Sequence, residues 1–296
     1  MTDRRYLRIS SAWVFLAPAL LLIAVFFFLP IFAALLLSFT DFDIYALGDL
    51  DRLRFIGCNN YLQLLQSPLF WTALGNTFYF VIVGGPLSVA VSLGAALLVN
   101  APLTRFPGFF RAAFFLPVVT TLVAVAVVWR YLYHPRYGLL NYLLSLAGVD
   151  PIDWLGDPDW AMPAIILMAV WKNFGFNMII FIAGLQNIPT QLYEAARIDG
   201  AGAWRQFRYI TLPLLGPTFL FVALITMIGY FQVFAEPYIM TQGGPANRTL
   251  SVVLLMYEEG FRWWNMGYAS AVAFVLFALI LAGTLLQLKL RQREPS

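Results

Sequence analysis

Cysteine and histidine are scarce in this chain of 296 residues, and their scarcity excludes several kinds of site. Cys58 is the only cysteine, so the chain cannot form an internal disulfide. His134 is the only histidine, and a metal centre would need several Cys, His or acidic ligands at one place. The aspartates cluster among turn residues, which is typical of a solvated rim. We therefore predict neither a catalytic residue nor a metal site.

Charge is also scarce, and this excludes an ordinary soluble protein. Charged residues make up 11% of the chain and hydrophobic residues 61%, whereas soluble proteins have about 25% and about 45–50%. Stretches without Asp, Glu, Lys or Arg include residues 9–40, 112–129, 209–235 and 263–288. Since a membrane-spanning helix needs about 20 mostly apolar residues, the pattern indicates an integral membrane protein.

Helices are predicted for the spans because each segment must satisfy its own backbone hydrogen bonds in lipid. The first apolar stretch, Ala12–Phe39, is longer than a signal-peptide core of about 7–15 residues, so we expect it to be retained. Bends are expected at Pro30, at Gly84-Gly85-Pro86 and at Pro117. We predict an all-α membrane protein with a single transmembrane domain over 1–296 and six transmembrane helices, at about 12–38, 73–99, 112–132, 161–183, 215–238 and 267–289.

Lysine and arginine are unevenly distributed over the loops, and their distribution predicts the orientation. The N-terminus, residues 100–111, residues 184–214 and the C-terminus together hold 11 Lys and Arg against four Asp and Glu. The segments on the opposite side hold six Lys and Arg against 11 Asp and Glu. Because positive loops stay in the cytoplasm, we predict that both termini and the loop 184–214 are cytoplasmic.

The loop 184–214 contains a polar stretch punctuated by glycine. Ile188-Pro189 is typical of a helix start, and Gly200 suits a left-handed helix end. We predict a short helix that ends near Ile198 and a second short helix over Ala203–Ile210. An amphipathic helix that merely lies at the membrane surface is an alternative role for this loop.

The same loop resembles the EAA motif, which marks the membrane subunits of ABC importers. TQGGP at 241–245 and NTFYF at 76–80 are similar to stretches of the maltose-type, carbohydrate branch of that family. The resemblance extends from the first span to Lys289. The residues that match the EAA motif are Glu194, Ala195, Ala196, Asp199, Gly200 and Ala201, followed by Ile210, Leu212 and Pro213.

The resemblance implies the type I ABC importer permease fold and a place in the cytoplasmic (inner) membrane of a bacterium or archaeon. The EAA residues would form a coupling helix that docks on a cytoplasmic ATPase dimer. The other implied partners are a second, homologous permease, an extracytoplasmic solute-binding protein and the lipid bilayer, with no nucleic acid. ATP and Mg would be used by the partner ATPase, so this chain would be a transport subunit without a cofactor or enzymatic activity of its own. Neither of its two lysines has the surroundings of a phosphate-binding P-loop.

The resemblance also implies a substrate pathway on the fourth and fifth spans. Aromatic rings combined with amide and hydroxyl groups suit a sugar, whose ring faces stack and whose hydroxyls form hydrogen bonds. Polar groups at mid-depth usually face a cavity or a partner, although asparagines also suit helix–helix hydrogen bonds. The matching positions are Lys172, Asn173, Phe176, Thr226, Tyr230 and Val233.

Alternatives stay open for the substrate and for Lys172, which replaces an apolar residue of the family pattern. The substrate is a sugar or oligosaccharide, or another small polar solute such as a glycerol phosphate, and its site lies here or in the second permease. Lys172 would reach asparagine or backbone groups, or an acidic group of the substrate, or it would pair with Glu236 near the outer end of the fifth span. A charge inside the membrane is also typical of ion-coupled secondary transporters, which is the more remote interpretation.

The orientation is tested by cysteine labelling in a Cys58→Ser background. We expect Ser296→Cys to resist an impermeant maleimide added outside intact cells, because the C-terminus is predicted to be cytoplasmic. Asp153→Cys is expected to react, because the segment before the fourth span is predicted to lie outside. Permeabilised cells, in which both cysteines react, provide the control. The opposite labelling pattern would invert the predicted topology.

Overall fold

A computed structural model of the chain describes residues 3–47, 53–101 and 103–291. The predicted position of Ser296, and the charge of Arg52 that entered the orientation argument, lie outside these described residues. The α-helices, in chain order, are α1 (Asp3–Ile23), α2 (Leu29–Leu37), α3 (Asn59–Gln66), α4 (Pro68–Tyr79), α5 (Gly85–Asn100), α6 (Pro107–Val119), α7 (Leu122–Leu132), α8 (Leu139–Leu146), α9 (Ala161–Gln186), α10 (Thr190–Ile198), α11 (Ala203–Gln206), α12 (Leu212–Leu214), α13 (Gly216–Phe231), α14 (Ala235–Met240), α15 (Val252–Tyr257) and α16 (Met266–Arg291).

Four helical stretches of the described chain are long and apolar enough to cross a membrane, and each overlaps a predicted span. They are Trp13–Leu37, Pro68–Asn100, Ala161–Gln186 and Met266–Leu290. The other two predicted spans fall on bent helix pairs, which raise the number to six if each pair is one span. The chain is therefore a multi-pass membrane protein.

The two bent pairs differ from the simple spans that the sequence predicts. The helices α6 and α7 meet at 97°, and Ala203–Leu214 meets α13 at 67°. The break in the first pair lies at Thr120 and Thr121, whose backbones are extended, shortly after the expected bend at Pro117. The predicted continuation of the fifth span to residue 238 is wrong, because α13 ends at Phe231 and the chain turns before α14.

Wide π-helical turns precede three prolines of the membrane helices. The turn Ala24–Phe28 precedes Pro30, Phe80–Gly84 precedes Pro86, and Phe207–Thr211 precedes Pro213. A proline ring collides with the carbonyl group four residues earlier and removes one backbone donor. In each case that carbonyl belongs to the π turn, where the helix is widened. The bends expected at Pro30 and at Gly84-Gly85-Pro86 therefore take the form of local widening.

Two compact units make up the chain, and the smaller comprises Met1–Ser67 and Met256–Val275. Within it, the buried side chain of Asn60 donates to the carbonyls of Ser38 and Thr40, over 2.9 and 2.8 Å. The Ser38 and Tyr61 hydroxyls are 2.8 Å apart. A Cβ at Gly267 would collide with the Thr40 carbonyl, so the start of α16 requires glycine at this close approach.

The larger unit comprises Pro68–Leu255 and Leu276–Ser296 and is built around α9. Most of the α9 side chains are buried, and they pack chiefly against α5, α6 and α13. Helix α9 lies against the backbone of α6 at Gly175, where a Cβ would collide with the backbone carbonyl of Phe114. Beside this contact the rings of Phe114 and Phe174 pack edge to face, with centroids 5.6 Å apart. The two backbones therefore touch without an intervening side chain.

The close contact predicts a specific cost for Gly175→Ala. We expect the variant to be less stable by about 1–3 kcal/mol, because overpacking here pushes against a rigid backbone. Gly94→Ala in α5 is the matched control, since nothing stands within 4 Å of its Cβ position and alanine favours the helix. Thermal unfolding of the two purified variants compares them. Equal unfolding temperatures would contradict a close α9–α6 contact.

Candidate functional site

The loop between α9 and α13 forms a helix–turn–helix, as the sequence predicts. Helix α10 spans Thr190–Ile198 and follows Pro189, whose backbone is extended. Gly200 has φ +77°, in the left-handed region that glycine tolerates. The N–H of Gly200 bonds to the Arg197 carbonyl and that of Ala201 to the Ala196 carbonyl, which is the Schellman arrangement that ends a helix.

Side-chain hydrogen bonds hold the two halves of this loop together. The hydroxyls of Tyr193 in α10 and Thr211, just before α12, lie 2.9 Å apart. The amide of Gln206 donates to the carbonyl of Ala201 over 2.7 Å. The second helical stretch continues beyond the predicted Ile210, through a π turn into α12. The loop is thus internally braced and continuous with α13.

The predicted coupling residues lie on the accessible side of this loop. Glu194, Ala195, Asp199 and Gly200 are exposed, and Ala196 and Ala201 are half-buried. Ile198, with 87% of its surface exposed, gives the same helix an apolar contact point. A protein surface that presents a helix with small residues, an acid and an exposed isoleucine is suited to docking into a groove.

The stretches NTFYF and TQGGP, which are far apart in the sequence, are connected in the structure. The amide of Asn76 donates to the carbonyls of Asn247 and Leu250, over 2.7 and 3.0 Å. The hydroxyl of Thr77 accepts from the N–H of Val252 at 3.0 Å. The Thr241 and Thr249 hydroxyls, 2.7 Å apart, close the loop that contains TQGGP. The first stretch therefore anchors the residues that directly follow the second.

A cavity of about 410 Å³ lies between α9 and α13, within the size range of small-molecule pockets. Five of the six predicted pathway residues line it: Asn173, Phe176, Thr226, Tyr230 and Val233. The remaining lining residues are not among the predicted pathway residues. These are Phe80, Val118, Asn177, Ile225, Gly229 and Glu236.

Tyr230 is held against one wall of this cavity. Its ring packs on Phe80, with centroids 4.9 Å apart, and on Gly84, where a Cβ would come within 2.9 Å of the ring. Its hydroxyl is buried and makes no hydrogen bond of regular geometry to the described residues, although Ser88 and Asn173 lie close by. This hydroxyl is therefore a polar group in an otherwise aromatic wall.

A buried hydrogen bond joins α9 and α13 at the cavity. The amide of Asn177 donates to the hydroxyl of Thr226 over 2.9 Å. Thr226 thus contributes both to a helix–helix contact and to the cavity lining. For Asn177 this hydrogen bond is the helix–helix role that the sequence left open for the asparagines. The neighbouring Asn173 is half-buried and lines the cavity.

Lys172 is the one predicted pathway residue that does not line the cavity. It is only 8% exposed, and its ammonium donates to the backbone carbonyls of Pro117, Val118 and Thr120. Of the partners that the sequence offered for Lys172, the structure shows the backbone carbonyls. The family resemblance misplaces this residue because the third span breaks beside it and presents carbonyl groups to it.

Glu236 and Val118 are lining residues that sequence reasoning missed. Glu236 belongs to α14, which begins after the chain has left α13, so counting along one helix does not bring it to the cavity. Val118 comes from the end of α6, and only the bend places it there. The sequence signal for Glu236 was an acidic residue close to the end of a predicted span. The sequence held no comparable signal for Val118.

Residues 89–294 match the family model described as "Binding-protein-dependent transport system inner membrane component". The chain is 38% identical over 289 residues to the lactose transport system permease protein LacF of Rhizobium radiobacter, covering 96% of this chain and 94% of that protein. It is 34% identical over 288 residues to the trehalose/maltose transport system permease protein MalF of Thermococcus litoralis, covering 96% and 95%.

Solved structures show the same fold. A chain from the crystal structure of a bacterial ABC transporter involved in the import of the acidic polysaccharide alginate has a TM-score of 0.82 and 23% identity, covering 99% of this chain and 100% of that one. A chain from a complex of the bacterial alginate transporter with its alginate pentasaccharide-bound periplasmic protein has a TM-score of 0.81 and 22% identity, covering 97% and 95%.

Proposed function

Because the chain belongs to the family of binding-protein-dependent transport system inner membrane components, we propose that it is the permease subunit of an ATP-driven importer for a sugar or oligosaccharide. It forms half of the translocation pathway. The observation that carries this proposal is the cavity between α9 and α13, where five of the six residues inferred for a sugar pathway come together.

The chemistry of the cavity suits a sugar. Phe80, Phe176 and Tyr230 offer aromatic faces, and Asn173 and the Tyr230 hydroxyl offer hydrogen-bonding groups. Among the described lining residues Glu236 is the one with a carboxyl side chain. The names of the similar proteins also favour a sugar.

The helix–turn–helix with Glu194, Ala195, Ala196, Asp199, Gly200 and Ala201 is the coupling element of this proposal. It docks on a cytoplasmic ATPase dimer that binds ATP and Mg. Since α9 enters this loop and α13 leaves it, a rigid-body movement of the loop turns both walls of the cavity together. Alternating access by such rocking is common among transporters.

The partners of the proposed transporter follow from this arrangement. A second, homologous permease completes the pathway, and an extracytoplasmic solute-binding protein delivers the sugar. The complex lies in the cytoplasmic membrane of a bacterium or archaeon, with six spans and both termini of this chain in the cytoplasm. The two bent helix pairs each serve as one broken span, since irregular backbone is tolerated inside a membrane where protein surrounds it.

The coupling role predicts that Glu194→Lys uncouples uptake from ATP hydrolysis. We expect substrate-stimulated hydrolysis and uptake to fall by at least about tenfold, because a reversed charge meets the ATPase groove. Asp150→Lys, a charge reversal in the segment between α8 and α9, is the matched control and should leave both unchanged. Both are measured on complexes reconstituted in liposomes. Normal coupling in the Glu194 variant would refute the docking role.

The substrate role predicts weaker uptake by Tyr230→Ala and by Asn173→Ala. We expect the apparent affinity to fall roughly tenfold to hundredfold, since losing one hydrogen bond and leaving its buried partner unpaired costs about 1–3 kcal/mol. Phe221→Ala is the control, because Phe221 lies on α13 with 53% of its surface exposed and does not line the cavity. Sugar uptake is measured per assembled complex. Full uptake by a double Tyr230 and Asn173 variant would place the site elsewhere, such as in the second permease.

A further inference from the structure

The break in the third span leaves the end of α6 without regular backbone partners. The helix ends at Val119, and the next two residues, Thr120 and Thr121, are extended before α7 begins. The last four carbonyl groups of any α-helix lack partners within that helix. In an apolar environment such groups must be satisfied by the protein itself. The hydroxyl of Thr120 supplies one donor, to the Pro117 carbonyl over 2.6 Å.

Lys172 supplies further donors at this break. Its ammonium lies 3.2 Å from the Pro117 carbonyl, 3.4 Å from the Val118 carbonyl and 3.2 Å from the Thr120 carbonyl. A lysine ammonium has three N–H donors and no acceptor, so the three carbonyls match its full capacity. A cation also complements the partial negative charge at a helix C-terminus. The buried charge is thus accommodated by a specific set of groups.

The packing of α9 on α6 brings Lys172 to this end. Gly175 lies three residues further along α9, on the same face, and permits backbone contact at Phe114. Because the two helices are this close, Lys172, about one turn before Gly175 on α9, reaches residues about one turn after Phe114 on α6. The ammonium therefore acts as a clamp between the break of the third span and α9.

The clamped residues also form part of the cavity. Val118 gives its carbonyl to Lys172, and Val118 is among the residues that line the cavity. Asn173, the next residue after Lys172, lines the same cavity. Glu236 lines it too and interacts electrostatically with Lys172. Lys172 is therefore connected to three residues of the cavity lining.

We propose that Lys172 is a positioning residue: it holds the broken end of α6 against α9 and so places Val118 in the wall of the cavity, without contacting the substrate itself. The importance of this wall for uptake rests on the proposed function of the cavity. The position of Val118 does not, and it can be measured separately.

The position is measured by the reactivity of Val118→Cys in a Cys58→Ser background, without substrate. Ile225→Cys, which reports on the α13 wall of the same cavity, is the reference. In Lys172→Met we expect the rate of modification of the Val118 cysteine by a small hydrophilic thiol reagent to change at least about threefold, because the clamp on α6 is lost. The Ile225 cysteine should keep its rate, and Lys172→Arg should restore the Val118 rate. Lys289→Met, the same change at an exposed lysine of α16, should alter neither rate.

Uptake kinetics add a second measurement, the KM for sugar per assembled complex, which a loss of stability alone would not change. Per assembled complex, Lys172→Met is expected to raise the KM for sugar at least about fivefold with a smaller change in the maximal rate, the pattern of lost binding rather than lost turnover. If Lys172→Met does not assemble, Lys172→Gln, which keeps two N–H donors without the charge, is measured in the same way. Unchanged reactivity of the Val118 cysteine in the neutral variant, or no restoration by arginine, would overturn the proposal. Altered reactivity with unchanged KM would uphold the clamp and contradict the proposed substrate role of the cavity.

Discussion

A bilayer offers no hydrogen bonds to a broken helix, so each carbonyl that a break exposes must find a donor within the chain. The third span meets this constraint with Lys172, whose three N–H donors face three carbonyls at the end of α6. The contact depends in turn on Gly175, since any side chain there would push α6 away from α9. In our proposal the position of Val118 in the cavity wall follows from this pair of residues.

The cavity and the exposed loop are connected by continuous backbone. The helix α9 leads into α10, and α12 leads into α13, with the Tyr193–Thr211 contact bracing the loop between them. Both principal walls of the cavity therefore start from one braced element. In the proposed importer, this is the physical route by which movement of the ATPase reaches the substrate. It also explains why a chain this apolar exposes a polar helix outside its spans.

The prolines show how membrane helices accommodate groups that break ordinary helices. Three of them follow π turns, and the widened backbone accepts the carbonyl that the ring would otherwise strike. Pro117 precedes a sharper break, at which the chain turns by 97°. At this break Lys172 donates to three backbone carbonyls. The break brings Val118 to the cavity, so it contributes to the candidate site.

Composition and local pattern by themselves determined the membrane location, the helical class and the helix–turn–helix with its glycine cap. These depend on the chain's own neighbours, since apolar length decides insertion and a left-handed helix end favours glycine. The matching positions of the family resemblance lie on the fourth and fifth spans, which is why Asn173, Phe176 and Tyr230 were found together. Only the tertiary structure decided which groups from other helices meet those faces. Lys172 turns to α6, while Val118 and Glu236 reach the cavity, because the break after Val119 and the turn after Phe231 set their positions.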